Sequence, residues 1–213
     1  MLNLTLDEAK KLAGSGGYGV IPLSLELFSD IRTPIEVLRI LKSVSRHVYM
    51  LESIEDSERW GRYTFLGFDP KLELTCLDGH MVIKNGVTIE METDHPGKMI
   101  KDILKQYRSP KIEGLPPFTG GLVGYFAYDY IKYSQPSLKL KANDEEFFKD
   151  VDLMLFDKVI AFDNFRQKIV LIANLKTEDI EREYLKAEAG LRQMEELIRH
   201  GQPQPHQRGR MIG

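Results

Sequence analysis

Apolar and polar positions alternate with two periods along this chain, and the change from one to the other marks out its elements. Leu72-Glu73-Leu74-Thr75-Cys76 alternates strictly and meets the turn pair Asp78-Gly79. Met81 to Lys84 then runs back, Asn85-Gly86 turns again, and Val87 to Met91 alternates once more. Asp-Gly and Asn-Gly accept the positive φ angles that match strand twist, so this stretch predicts a three-stranded antiparallel meander. Val20 to Phe28, Val48 to Leu51, Tyr63 to Gly67, Val151 to Phe156, Lys158 to Asp163 and Gln167 to Leu175 add further strands. The last two form a hairpin around Asn164-Phe165-Arg166.

The helical period takes over after capping signals. Thr5-Leu6-Asp7-Glu8 and Thr33-Pro34-Ile35-Glu36 both have the capping-box form, the second with proline at the first helical position. They open helices to about Ala13 and through Val44, the latter with Val37, Leu38, Ile40, Leu41 and Val44 on one broad face. Asp94 to Arg108 predicts a third helix, with Met99, Ile100, Ile103, Leu104 and Tyr107 inward. Thr177 is the expected N-cap of a fourth, from Glu178 to about His200, striped by Ile180, Tyr184, Leu191, Met194, Leu197 and Ile198. Gly120, Gly121 and Gly124 within the apolar run Phe118 to Tyr130 point to a buried strand that other groups cross closely. The fold class is therefore α+β: antiparallel sheets with meanders, flanked by about four helices. Residues 1–200 form the domain, and 201–213, rich in Pro, Gln and Gly, read as a linker-like tail.

Composition narrows the function by exclusion. The 29 basic residues are scattered among 32 acidic ones, which argues against a nucleic-acid or anionic-membrane partner. The N-terminus mixes acids into its apolar positions, as neither a signal peptide nor a membrane span does, so a cytoplasmic protein is expected. Cys76 is the single cysteine and reads as a small packing residue, and the five histidines lack metal-ligand spacing, so no metal site is expected within the chain. Gly14, Gly16, Gly17 and Gly19 follow a helix and precede a strand, the wrong order for a phosphate cradle. Candidate chemistry is confined to one place. Where the strand ending at Leu51 passes into Glu52-Ser53, a carboxylate and a hydroxyl stand at a sheet rim and can hydrogen-bond a small polar ligand, or simply end the strand.

Several stretches together resemble the N-terminal half of anthranilate synthase component I, the large chorismate-using subunit of tryptophan biosynthesis. They are Ile21-Pro22, Met50-Leu51-Glu52-Ser53, Gly61-Arg62-Tyr63-Thr64-Phe65-Leu66-Gly67, Pro70, and Phe118 to Tyr125 with Tyr128-Asp129, in the family's order. The resemblance implies packed antiparallel sheets with flanking helices. It also implies an intact enzyme, a lyase, that converts chorismate and glutamine or ammonia to anthranilate and pyruvate with Mg2+. In that family the Leu-Glu-Ser motif helps form the feedback site for L-tryptophan, so Ser53 would contact the effector, Glu52 would sit beside it, and Arg62 is a weaker candidate. The chorismate- and magnesium-binding residues lie in a C-terminal catalytic domain that no segment here resembles, so the chain alone is expected to be inactive. The intact enzyme pairs with a glutamine amidotransferase subunit, component II. Aminodeoxychorismate synthase component I of folate biosynthesis shares much of this half and is the nearest alternative. A freestanding amino-acid-binding module and a purely structural domain are the others.

Overall fold

The structure is a computed structural model, and it describes residues 2–52, 61–135, 137–138 and 147–203. Among these residues are four α-helices, a short 3-10 turn (Tyr128–Tyr133) and ten strands in two antiparallel sheets, as the α+β class predicts.

Both capping boxes form. The Thr5 side chain accepts from the Glu8 backbone while the Glu8 carboxylate reaches back, opening α1 (Leu6–Gly14). Thr33 and Glu36 do the same for α2 (Pro34–Val44). Helix α3 (Pro96–Gln106) starts on proline and buries Ile100 and Ile103. The fourth helix starts differently from the sequence expectation. Its cap is Asp179, in the left-handed region, and α4 runs over Ile180–His200. Thr177 instead donates its hydroxyl to the carbonyls of Tyr18 and Gly19, at 3.1 and 3.3 Å. It ties the two ends of the domain together, a long-range demand that overrides the local capping signal.

The first sheet contains β1 (Val20–Phe28), β2 (Val48–Glu52), β3 (Tyr63–Phe68), β9 (Lys158–Asp163) and β10 (Lys168–Lys176), in the order β1-β10-β9-β3-β2. The second contains the meander β4 (Leu72–Leu77), β5 (His80–Asn85) and β6 (Val87–Glu92), then β8 (Val151–Phe156) and β7 (Gly121–Phe126), in the order β6-β5-β4-β8-β7. The sheets share a bent ribbon. Strand β3 pairs with β9 and β4 with β8, while Asp157 alone separates β8 from β9. Both ribbon strands therefore turn a corner and leave one sheet for the other. Positive φ at Asp69 assists the first corner.

Each sheet has one face covered by helices. Leu23, Leu25, Leu66, Ile160, Ile169 and Leu171 of the first sheet form a buried core with residues of α1, α2 and α4, including Leu41, Leu191 and Met194. Leu74, Cys76, Met81, Leu153 and Leu155 of the second pack with Ile100 and Ile103 of α3. Cys76 is buried there, as a packing residue would be. Strand β1 is an edge that carries Pro22, a residue edges tolerate. Part of that edge is covered by Asn3, whose backbone N–H donates to the Ser24 carbonyl and whose Oδ1 accepts from the Ser24 N–H.

The run containing Gly120, Gly121 and Gly124 does not form the buried strand its composition predicts. The glycine-containing strand is not buried: β7 lies at the edge of the second sheet, and Tyr125 and Phe126 are 37% and 51% exposed. Other groups do approach closely at Gly120, where a Cβ would lie 2.6 Å from Asn174 Nδ2, and at Gly124, where it would lie 2.0 Å from the Asp152 carbonyl oxygen. Backbone crowding from one neighbour is compatible with an edge, and sequence composition does not separate the two situations.

Asp150 organises the far end of the second sheet. Its buried carboxylate accepts from the Tyr133 hydroxyl at 2.7 Å and the Asp78 N–H at 2.8 Å, and pairs with Lys132 at 2.8 Å. Lys132 also reaches Asp78 at 2.6 Å, so the β4–β5 turn is pinned to the segment before β8. Asp150→Asn keeps the shape and removes the charge. It is expected to lower the unfolding free energy by about 2 kcal/mol in urea titration, the scale of hydrogen bonds to charged groups.

Candidate functional site

The sequence locates candidate chemistry where β2 ends. Glu52 is the last residue of β2, is exposed, and pairs in register with Thr64. Alternation puts it on the helix side with Val48 and Met50, which pack against the first core, whereas Tyr49 and Leu51 belong to the opposite face. Ser53 lies outside the described residues.

The opposite face is apolar and aromatic. Leu51 is in register with Phe65, Phe65 with Ala161, and Tyr63 with Asp163. Leu115 and Phe118 cover part of it, packing with Phe65 on Val159, Ala161, Val170 and Ile172. The Phe65 and Phe118 rings meet edge to face with centroids 5.6 Å apart, and Tyr63 stacks at 5.7 Å from Phe65. Farther along β2, Tyr49 lies over Gly67, where a Cβ would come within 2.2 Å of the ring, and meets Phe156 edge to face at 4.7 Å. Only glycine at position 67 leaves room for that ring. The Tyr49 hydroxyl is buried with no partner among the described residues, and burial pushes its pKa up.

Arg62 is committed within this face. Its Nε donates to Asp163 Oδ1 at 3.0 Å and its Nη2 to Oδ2 at 2.6 Å, a two-pronged pair whose carboxylate is 5% exposed. The same Oδ1 accepts from the backbone N–H groups of Phe165 and Arg166, which shapes the β9–β10 turn. The Arg62 guanidinium also sits 4.8 Å from the Tyr63 ring centroid and 5.6 Å from that of Phe165. Burial pushes the Asp163 carboxyl upward, but the Arg62 and backbone hydrogen bonds outweigh it and hold the pKa below the ordinary value. Arg62 itself is raised, foremost by its hydrogen bond to Asp163. The fork that could grip a ligand carboxylate is thus turned onto the protein's own acid. Nothing in the sequence pairs residues 62 and 163; that partner emerges only from the β3–β9 register.

The arrangement defines a class: an α+β protein of two antiparallel sheets joined by a shared ribbon, with an aromatic sheet face beside the end of an edge strand. The sequence pattern described as chorismate binding enzyme matches residues 46–211. The chain belongs to the chorismate binding enzyme family. The match runs from before β2 into the segment after α4, and it gives no residue a role.

Among similar proteins, anthranilate synthase component 1 of Aquifex aeolicus (strain VF5) is 38% identical over 188 residues, covering 87% of this chain and 37% of that protein. That of Acinetobacter calcoaceticus is 36% identical over 205 residues, covering 93% and 40%. The chain therefore spans about two fifths of the length of these relatives. The crystal structure of anthranilate synthase component I from Streptococcus pneumoniae TIGR4 matches with a TM-score of 0.54 at 24% identity, over 83% of this chain and 37% of that one, a likeness of fold.

Proposed function

We propose that the chain is the N-terminal, effector-binding portion of an anthranilate synthase large subunit, the enzyme that converts chorismate and glutamine or ammonia to anthranilate and pyruvate. The observation that carries this reading is the match along nearly the whole chain to proteins named anthranilate synthase component 1, at 38% and 36% identity. In this reading the remaining length of the enzyme supplies the catalytic domain and its Mg2+, and a glutamine amidotransferase subunit supplies ammonia. Among the described residues no three His, Cys, Asp or Glu side chains converge to hold a metal ion. Among them, too, no helix is long and apolar enough to cross a membrane. A cytoplasmic setting belongs to the same proposal.

The effector is L-tryptophan, with the Ser53 hydroxyl as a polar contact and Glu52 beside it at the strand end, its own side chain on the helix side of the sheet. The aromatic floor of Tyr63 and Phe65 next to the end of β2 supports this choice, since an indole gains both burial and edge-to-face contact on such a surface. Arg62 acts on this face by holding Asp163 and the turn after β9, not by direct contact. Regulation further requires that tryptophan favour one of two conformations of the intact enzyme.

Ser53→Ala in the intact enzyme is expected to weaken tryptophan inhibition about tenfold, the equivalent of one hydrogen bond to a charged group, with uninhibited turnover unchanged. Inhibition at the wild-type concentration would remove Ser53 from the site. Identification of the product decides the reaction: anthranilate supports the proposal, and aminodeoxychorismate assigns the chain to the folate enzyme instead.

A further inference from the structure

Strand β7 closes the second sheet on one side. Folded proteins blunt such open edges with charge, proline or a covering segment, because an unpaired row of backbone groups recruits other strands. The other edges are treated in this way: β1 carries Pro22 and is partly covered by Asn3, β2 ends in Glu52, and β6 carries Glu90 and Glu92. Gly121–Phe126 has neither a charge nor a proline.

The direction of its backbone groups follows from one bond. The Ala127 N–H donates to the Asp150 carbonyl at 2.9 Å, so alternation along the antiparallel pair turns the N–H and C=O groups of Val123 and Tyr125 toward β8 as well. Those of Leu122, Gly124 and Phe126 point outward, where no described residue pairs with them. Aromatic rings flank this row on both faces. Phe126 lies on the α3 side, edge to face with Tyr130 at 4.9 Å, and Tyr125 lies on the other, 5.2 Å from Phe148. Just beyond the strand, Tyr128 is 85% exposed. Rings gathered along an unpaired edge cost the chain by itself and gain burial once another strand lies there.

We propose that an extended segment from the remaining length of the same subunit adds to β7 as a further strand of the second sheet. Its main chain bonds to Leu122, Gly124 and Phe126, and its apolar side chains lie by turns on the Tyr125 and Phe126 faces. The inference rests on the reading of this chain as part of an anthranilate synthase large subunit, since the relatives extend well beyond the two fifths of their length matched here. An unprotected edge is tolerable where its cover is permanent, and a covalently attached segment is held at a fixed, high effective concentration. A second copy or a separate subunit would leave the edge bare whenever it dissociates.

The test compares hydrogen exchange in the intact enzyme and in this chain, read at single residues by mass spectrometry with electron-transfer fragmentation. The Leu122, Gly124 and Phe126 amides are expected to exchange at least about a hundredfold more slowly in the intact enzyme, while Val123 and Tyr125, bonded to β8, are slow in both. Tyr125→Lys puts a charge on the edge at an exposed position. It should keep the thermal midpoint of this chain and remove most of the added protection in the intact enzyme. Equally fast exchange of the three amides in both proteins would overturn the strand addition. Protection of this chain by itself, whether fixed or rising with its concentration, would assign the edge to a different cover and overturn it equally. So would protection of the intact enzyme that appears only after the amidotransferase subunit is added. Product analysis separates the two failures: anthranilate formed by an intact enzyme with unprotected amides leaves the family reading standing and removes only the added strand.

Discussion

Arg62→Ala lowers the unfolding free energy by about 3 kcal/mol at neutral pH, because it strands the Asp163 carboxylate in a site that water barely reaches. The loss is at the low end for a broken buried pair, since the Arg62 side chain is 24% exposed and the Phe165 and Arg166 N–H groups still serve Oδ1. The sign of the pH dependence follows from the direction of the shift. Asp163 has a folded pKa below the ordinary 3.8, so its pair contributes stability that is complete above that value and is lost as pH falls through the folded pKa. Without Arg62, burial dominates and the folded pKa rises. The difference between wild type and variant should therefore be largest near neutrality and should shrink below about pH 4. Urea unfolding at a series of pH values measures it. Arg62→Ala/Asp163→Ala should recover much of the loss, since the uncompensated charge goes with the second substitution. A pH-independent loss that the double variant does not relieve would mean that Arg62 acts by stacking on Tyr63 and Phe165.

Gly124→Val is expected to cost about 4 kcal/mol or to prevent folding, combining overpacking with a strained backbone. Its Cβ would lie 2.0 Å from the Asp152 carbonyl oxygen and 2.9 Å from Leu153 Cα, both backbone atoms of β8 that no rotamer change can move aside. Its φ of +154° is also a conformation that side-chain-bearing residues rarely adopt. To accept the substitution β7 must lift from β8, and the register from Gly121–Phe156 to Phe126–Val151 is lost. Gly190→Ala is the contrasting control. It adds a methyl to open space in the middle of α4 and should stabilise the chain by about 0.5–1 kcal/mol. Thermal melts of the two variants should move in opposite directions; a tolerated Gly124→Val would show that the β7 edge is far more compliant than its contacts suggest.

Tyr133 and Lys132 show why the polar cluster around Asp150 could not be anticipated from sequence. The partners stand at positions 78, 132, 133 and 150, with no spacing that relates them until β4, β8 and the 3-10 turn are assembled. Thr177 teaches the same lesson from the other side. Its position before a helix has the local form of an N-cap, yet its hydroxyl is used 159 residues away, on Tyr18. At the candidate site, the end of β2 and the exposure of Glu52 were legible from the polarity change after Leu51. The engagement of Arg62 was not.

Everything governed by neighbours a few residues apart could be read along the chain. The two capping boxes, the Asp78-Gly79 and Asn85-Gly86 turns, the alternation through β4, β5 and β6, and the α+β class all follow from local hydrogen bonding and side-chain period. Which strands pair across long gaps was settled by the assembled fold. It set β1 against β10, bent the β3–β9 ribbon into β4–β8, left β7 at an edge, and brought Arg62 to Asp163 across 101 residues. These choices minimise exposed apolar surface and unpaired buried charge summed over the whole chain, a quantity no short window of residues contains.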